Sequence, residues 1–252
     1  MKKLTCIVLC LACLGLIAGR KRERIETPMG GATFQAGFNE GQGVKSWGYP
    51  LSGGVTYNAT WGYGFGLMGA GYTFNGTNAY INLQNSENSF DITTGDFSIS
   101  AWVKPDAAST GKYIDVFDKR STVAGAYGYL FGIEGTGKAY FFIKDQNSDS
   151  ATVTSLTTIA TEEWTHVVAV AARAGNGSIY INGALNNSAS FVAADGSLLN
   201  DSVVNLGWHN PGMTTLWTNF MGELDEIYFF KRAISAEEVG ALYEHGKANM
   251  NP

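Results

Sequence analysis

The sequence predicts an all-β protein, a two-sheet antiparallel β-sandwich of the jelly-roll type with one short C-terminal helix. Three observations lead there. Short segments of apolar alternation recur between Gly, Asn, Asp and Ser along the chain. Thirty-two glycines in 252 residues, with only 15% charged residues, fit many tight turns better than long surface helices. A helical pattern with start and stop signals occurs once, near the C-terminus, so a parallel α/β sheet, which needs helices on both faces, is excluded.

The elements follow in order from Thr33. Phe97-Ser98-Ile99-Ser100-Ala101-Trp102-Val103 alternates as a strand, with Trp102 breaking the pattern. Tyr127–Glu134 and Lys138–Lys144 read as two strands joined by the short loop Gly135-Thr136-Gly137. Trp164–Ala172 is a mostly apolar run, as expected of a strand covered on both faces. Ser178–Asn182 and Ala184–Asn186 flank Asn182-Gly183, a strong hairpin signal, and Gly222–Phe230 is a further strand. Ser235 with Glu238 three residues later is a capping box; it opens a helix over Ala236–His245, which Gly246 is expected to stop. No internal repeat is visible.

Charge and composition exclude several functions. The chain carries 17 Lys+Arg against 22 Asp+Glu, and without residues 1–19, which hold Lys2 and Lys3 but no acid, 15 against 22. This acidic balance argues against general nucleic-acid binding, because phosphate neutralisation needs a clustered basic surface. Leu4–Ala18 is an apolar run behind a basic start. It is short for a membrane span and fits a secretory signal over residues 1–19, followed by a basic, polar linker over 20–32. A secreted or cell-surface location follows; an uncleaved or lipid anchor is the alternative and would be the chain's link to a membrane. Cys6, Cys10 and Cys13 all lie in this segment, so residues 20–252 hold no disulfide and no thiolate metal site.

Six segments then carry a resemblance. Phe34–Gly43 (FQAGFNEGQG), Tyr72–Leu83 (YTFNGTNAYINL), Asp96–Asp106 (DFSISAWVKPD), Glu162–Val170 (EEWTHVVAV), Ile179–Leu185 (IYINGAL) and Phe220–Gly246 resemble, in order, the laminin-G-like (LamG-like) branch of the concanavalin A-like lectin/glucanase superfamily. The resemblance covers residues 33–247. It implies a concanavalin A-like jelly roll and an extracellular context, but no single activity, because the fold hosts lectins, hydrolases, adhesins and spacers.

Candidate chemistry is sparse. Glycosidases on this fold carry Glu-x-Asp-x-Glu on one strand face. Here Glu223-Leu224-Asp225-Glu226-Ile227 puts Glu223, Asp225 and Ile227 on one face and Glu226 on the other, so the third carboxylate is missing and no enzyme is expected. His166 reads as packing. Gly62, Gly64 and Gly66 precede no helix that could bind phosphate. Trp208-His209-Asn210 and Trp217 bracket one loop and are the candidate ligand-binding residues, because exposed tryptophans serve as sugar platforms. A second aromatic group, Trp47, Tyr49, Tyr57, Trp61 and Tyr63, reads as rim packing. The resemblance also suggests a structural Ca2+, shared by Asn39 and Asp225. Asn58, Asn75, Asn176, Asn186 and Asn200 each open an Asn-x-Ser/Thr sequence, read here as turn chemistry. The expected function is a non-catalytic module that recognises a glycan or a surface protein through rim loops. A structural or adhesion subunit that self-associates through its sheet edges is the alternative, and a glycoside hydrolase the less favoured one.

Overall fold

The computed structural model describes residues 31–37, 55–67, 69–83, 88–121, 125–208, 217–248 and 250. The signal segment, most of the linker, all three cysteines, Asn39, Trp47, Tyr49, His209 and Asn210 lie outside the described residues, as do the side chains of Tyr63 and Trp217.

Sixteen strands are present among the described residues: β1 (Phe34–Ala36), β2 (Val55–Tyr57), β3 (Thr60–Gly66), β4 (Gly69–Asn75), β5 (Tyr80–Leu83), β6 (Phe97–Pro105), β7 (Tyr113–Arg120), β8 (Gly128–Ile133), β9 (Lys138–Lys144), β10 (Ser150–Thr158), β11 (Thr165–Ala171), β12 (Asn176–Ile181), β13 (Ala184–Ser190), β14 (Val204–Leu206), β15 (Trp217–Thr218) and β16 (Met221–Phe230). One helix, α1 (Ala236–Ala248), follows. The first sheet runs β13-β12-β11-β6-β16-β4-β3, with β1 also beside β16; the second runs β10-β9-β8-β7-β14-β5-β2, with β15 beside β7. Their pairings are antiparallel except that of β15 with β7. This is the two-sheet sandwich that the alternation predicted.

The inward faces of both sheets meet in an aromatic core. Phe229 on β16 is its hub, with ring contacts to Phe90, Phe97, Phe117 and Tyr129; the Phe117 ring, from the opposite sheet, stacks on it at 5.7 Å. Truncating so central a ring to alanine costs about 3–5 kcal/mol. The hairpin at Asn182-Gly183 forms as its sequence dictates, with φ of 50° and 81°, the left-handed pair a two-residue turn requires.

The first sheet's outer face is covered by α1, which packs Val239 and Leu242 with Val168, Val170, Tyr228, Phe230 and Ile234. That cover explains why β6 and β11 are buried on both faces and why Trp102 breaks the alternation: its outward ring is stacked by Tyr243 of α1 at 5.8 Å. The capping box forms as read, with Ser235 N–H donating to Glu238 Oε2 at 2.8 Å and Glu238 N–H to Ser235 Oγ at 3.3 Å. Gly246 does not stop the helix, which runs on to Ala248; it is buried against Trp102.

At one flank the outermost strands of the two sheets are joined. Asn186 on β13 accepts the Leu156 N–H of β10 at 2.6 Å and donates to Thr157 Oγ1 at 2.8 Å, and Asn187 donates to the Thr154 carbonyl at 2.7 Å.

Candidate functional site

The other end of the second sheet, where β14, β5 and β2 lie side by side, carries a row of stacked aromatic rings on its outward face. On β5, Ile81 and Leu83 are buried, while Tyr80 and Asn82 alternate outward and are half-buried. Tyr57 of β2 is the register partner of Tyr80. Their rings stack at 4.4 Å with an interplanar angle of 12°, and Tyr57 stays 42% exposed. Trp208, just beyond β14, covers the Tyr80 ring at 4.4 Å and 50°. Beside the row, Asn82 pairs with Asn205 of β14, donating to its side-chain oxygen at 3.2 Å.

The turn before β5 adds more amides. Asn75 Oδ1 accepts the backbone N–H of Thr77, Asn78 and Ala79 at 2.9–3.0 Å, and its Nδ2 donates to Asn78 Oδ1 at 2.9 Å. Asn58 donates to the Asn78 carbonyl at 3.3 Å and Asn219 to the Thr77 carbonyl at 3.0 Å; Thr218 Oγ1 donates to the Gly76 carbonyl. Strands β2, β4, β5 and the segment after β15 are thereby fixed around one aromatic row.

Next to Asn205 across the β14–β7 pairing is Asp118, which belongs to a buried charge cluster. Arg120 holds Asp118 with two bonds, Nε to Oδ1 at 3.0 Å and Nη2 to Oδ2 at 2.7 Å, and reaches Asp115 Oδ2 at 3.4 Å. Tyr140 donates to Asp115 Oδ1 at 2.6 Å. Burial pushes the Asp118 carboxyl up despite its bonds to Arg120, and burial together with the Asp115 charge holds the Tyr140 hydroxyl well above its usual range. Two carboxylates share one guanidinium, and all three charged groups are buried. Such a cluster fixes the sheet; it offers no exposed nucleophile.

The acids of β16 differ from the alternation read in the sequence. A bulge falls between Asp225 and Tyr228, with Glu226 in the left-handed region at φ 47°. Leu224, Ile227 and Phe229 consequently all enter the core. Ile227 thus does not share a face with Glu223 and Asp225. Asp225 faces Trp102 across its pairing, on the side that α1 covers. Glu226 is on that side as well, accepting from the Tyr228 hydroxyl at 2.6 Å, and not on the opposite face. Burial lifts the Glu226 carboxyl to about 7 against the lowering effect of that bond. Asp225 is fully buried and its Oδ1 accepts the Glu226 N–H at 2.8 Å, whereas Glu223 pairs with Lys104 at 3.1 Å. Among the described residues no group of three or more His, Cys, Asp and Glu is gathered as for a metal ion. Asn39, the other residue suggested for a cation, is outside them.

His166 is the packing residue it was read as: buried under α1, 2.9 Å from Ser100 Oγ through Nε2, and lowered to about 3 by burial. Gly62, Gly64 and Gly66 belong to strand β3. The second aromatic group divides. Trp61 packs against the core, while Tyr57 joins Trp208, a residue of the first group. Trp217 begins β15 and pairs through its backbone with Tyr113 of β7. The residue missed in the sequence is Tyr80, which links the two groups; its signal was the alternation Tyr80-Ile81-Asn82-Leu83.

The family model described as concanavalin A-like lectin/glucanases superfamily matches residues 75–240. A search of the curated proteins gave no match. Among solved structures, the chain is similar to the botulinum neurotoxin serotype G binding domain (18% identity, TM-score 0.67, covering 85% of this chain and 51% of that one). It is also similar to the binding domain of Paraclostridial Mosquitocidal Protein 1 (19%, TM-score 0.70, 85% and 52%). A third is domain 4 of AbnA, an extracellular arabinanase from Geobacillus stearothermophilus, solved with arabinotriose (18%, TM-score 0.62, 84% and 98%). The chain spans about half the length of the two toxin binding domains. At these identities the likeness shows the fold. No helix of the described residues is long and apolar enough to cross a membrane.

Proposed function

The chain belongs to the concanavalin A-like lectin/glucanase superfamily, and we propose that it is a non-catalytic carbohydrate-binding module of a secreted or cell-surface protein. The aromatic row Tyr57–Tyr80–Trp208 carries this reading. Aromatic rings offer an apolar face to the C–H side of a sugar, and amides bond its hydroxyls with both donors and acceptors. Tyr80 lies between the other two rings and is half-buried. The outer face of Tyr57 and the far face of Trp208 are the surfaces a sugar would meet. His209, Asn210 and Trp217 stay proposed as ligand-binding residues with Trp208. A structural cation held by Asn39 and Asp225 remains part of the proposal, outside the sugar site.

Arabinotriose in domain 4 of the arabinanase, 98% of which this chain covers, supports a sugar as the ligand class. Glycosidase chemistry is disfavoured because Asp225 and Glu226 are buried. The test is a glycan array with the folded protein, with and without calcium, beside Tyr57→Ala and Trp208→Ala variants. Binding lost in both variants supports the module and its site. No binding by the folded protein on any array overturns it.

A second reading, self-association as an adhesion subunit, has one observation in its favour. Neither β10 nor β13 carries a charged residue, and Leu156 and Leu185 on this flank are 67% and 59% exposed. Sedimentation of the protein over a range of concentrations tests it.

A further inference from the structure

We propose that this site takes uncharged glycans and discriminates against acidic ones, those bearing sialic or uronic acid. The inference rests on the carbohydrate-binding reading and deepens it. Every group named in the aromatic row, the neighbouring turn and the amide pair is uncharged: Tyr57, Tyr80 and Trp208; Asn58, Asn75 and Asn78; Asn82, Asn205 and Asn219. Amides suit hydroxyls and acetamido groups. A sugar carboxylate asks for more, since leaving water without a charged donor is unfavourable, and proteins meet such groups with Arg or Lys.

Among the described residues, the cation that adjoins the site cannot answer that demand. Arg120 belongs to the cluster that starts at Asp118, the register partner of Asn205. It is 5% exposed, holds Asp118 with two bonds and reaches Asp115 with a third. With two carboxylates for one guanidinium, the cluster presents a net negative field to the adjoining face. A carboxylate arriving beside Asn205 is repelled rather than attracted, while a neutral sugar is indifferent to that field.

The experiment uses the full chain on an array of matched pairs: neutral galactosides beside their sialylated forms, and neutral arabinan and galactan oligosaccharides beside oligogalacturonides, at low and physiological salt. The neutral member of each bound pair is expected to be preferred by about tenfold or more, the gap narrowing as salt rises. Tyr57→Ala, at an exposed position where folding is little affected, is expected to lose the neutral ligand, and Tyr57→Phe to keep it. Acidic members bound as well as or better than neutral ones overturn the inference and leave the module reading intact. A folded protein that binds neither member of any pair overturns both. Binding that survives Tyr57→Ala and Trp208→Ala overturns the assignment of selectivity to this site.

Discussion

A Cβ on Gly246 would stand 2.3 Å from Trp102 Nε1, so helix α1 and the indole of strand β6 touch without room for a methyl group. The contact fixes where the helix lies on the first sheet. Gly246→Ala is expected to gain helix propensity and still destabilise the protein by about 1–3 kcal/mol, because overpacking outweighs the gain. A thermal melt reads this as a drop of several degrees; an unchanged or raised melting temperature would show that the helix slides freely.

For the aromatic row, Trp208→Ala and Tyr57→Ala should each weaken sugar binding by about tenfold or more. Tyr57→Ala should leave stability within about 0.5 kcal/mol, since its ring is exposed at the sheet's edge. Titration calorimetry and urea unfolding on the same samples separate the two effects.

Two buried groups give the protein opposed pH dependences. Burial lowers His166 from 6.5 to about 3, so the folded state holds it neutral. Its contribution to stability is complete above pH 6.5 and lost as pH falls from there toward 3. Burial raises Glu226 from 4.5 to about 7, so the folded state favours its protonated form. That contribution is complete below pH 4.5 and lost as pH rises through 7. Between pH 4.5 and 6.5 the two slopes, each up to about 1.4 kcal/mol per pH unit, oppose one another. Glu226→Gln should therefore make stability rise more steeply with pH over this range, and His166→Asn should make it fall. Urea midpoints at pH 5, 6 and 7 measure both, and parallel curves for wild type and variants would refute the assignment.

Sites for N-linked glycans are unequal. Asn200 is 5% exposed, with Nδ2 donating to the Lys119, Tyr127 and Leu198 carbonyls, so a glycan there is incompatible with the fold. Asn58 and Asn75 sit exposed at the rim of the aromatic row. From a glycosylating host, folded protein should carry glycans at these two and none at Asn200, as peptide mass spectrometry reads directly. Replacing Thr60 and Thr77 by alanine, which removes both acceptor sequences without touching the asparagines, should restore sugar binding to that of the unglycosylated protein.

Local pattern made most of the fold legible. Alternation located β6 and the apolar run β11; Asn182-Gly183 located the hairpin; Ser235 and Glu238 located the start of α1. What the pattern could not carry was tertiary. Gly246 reads as a stop signal until Trp102 lies beneath it. Strict alternation fails at Glu226, because one extra residue in a strand leaves no mark in composition. Of the three rings in the aromatic row, Trp208 was a candidate, Tyr57 was read as rim packing and Tyr80 was not singled out. Only the adjacency of β2, β5 and β14, strands distant in sequence, brings Tyr57, Tyr80 and Trp208 together.

The amide bonds of Asn186 and Asn187 reach beyond local stability. An outer strand offers unpaired backbone groups to any passing chain, and fibrils grow by that route. Here the side chains of Asn186 and Asn187 on β13 take up three backbone groups of β10, the N–H of Leu156 and Thr157 and the carbonyl of Thr154. Those three groups are withheld from an incoming strand, so self-association through this flank would have to proceed through the backbone groups that the two asparagines leave open.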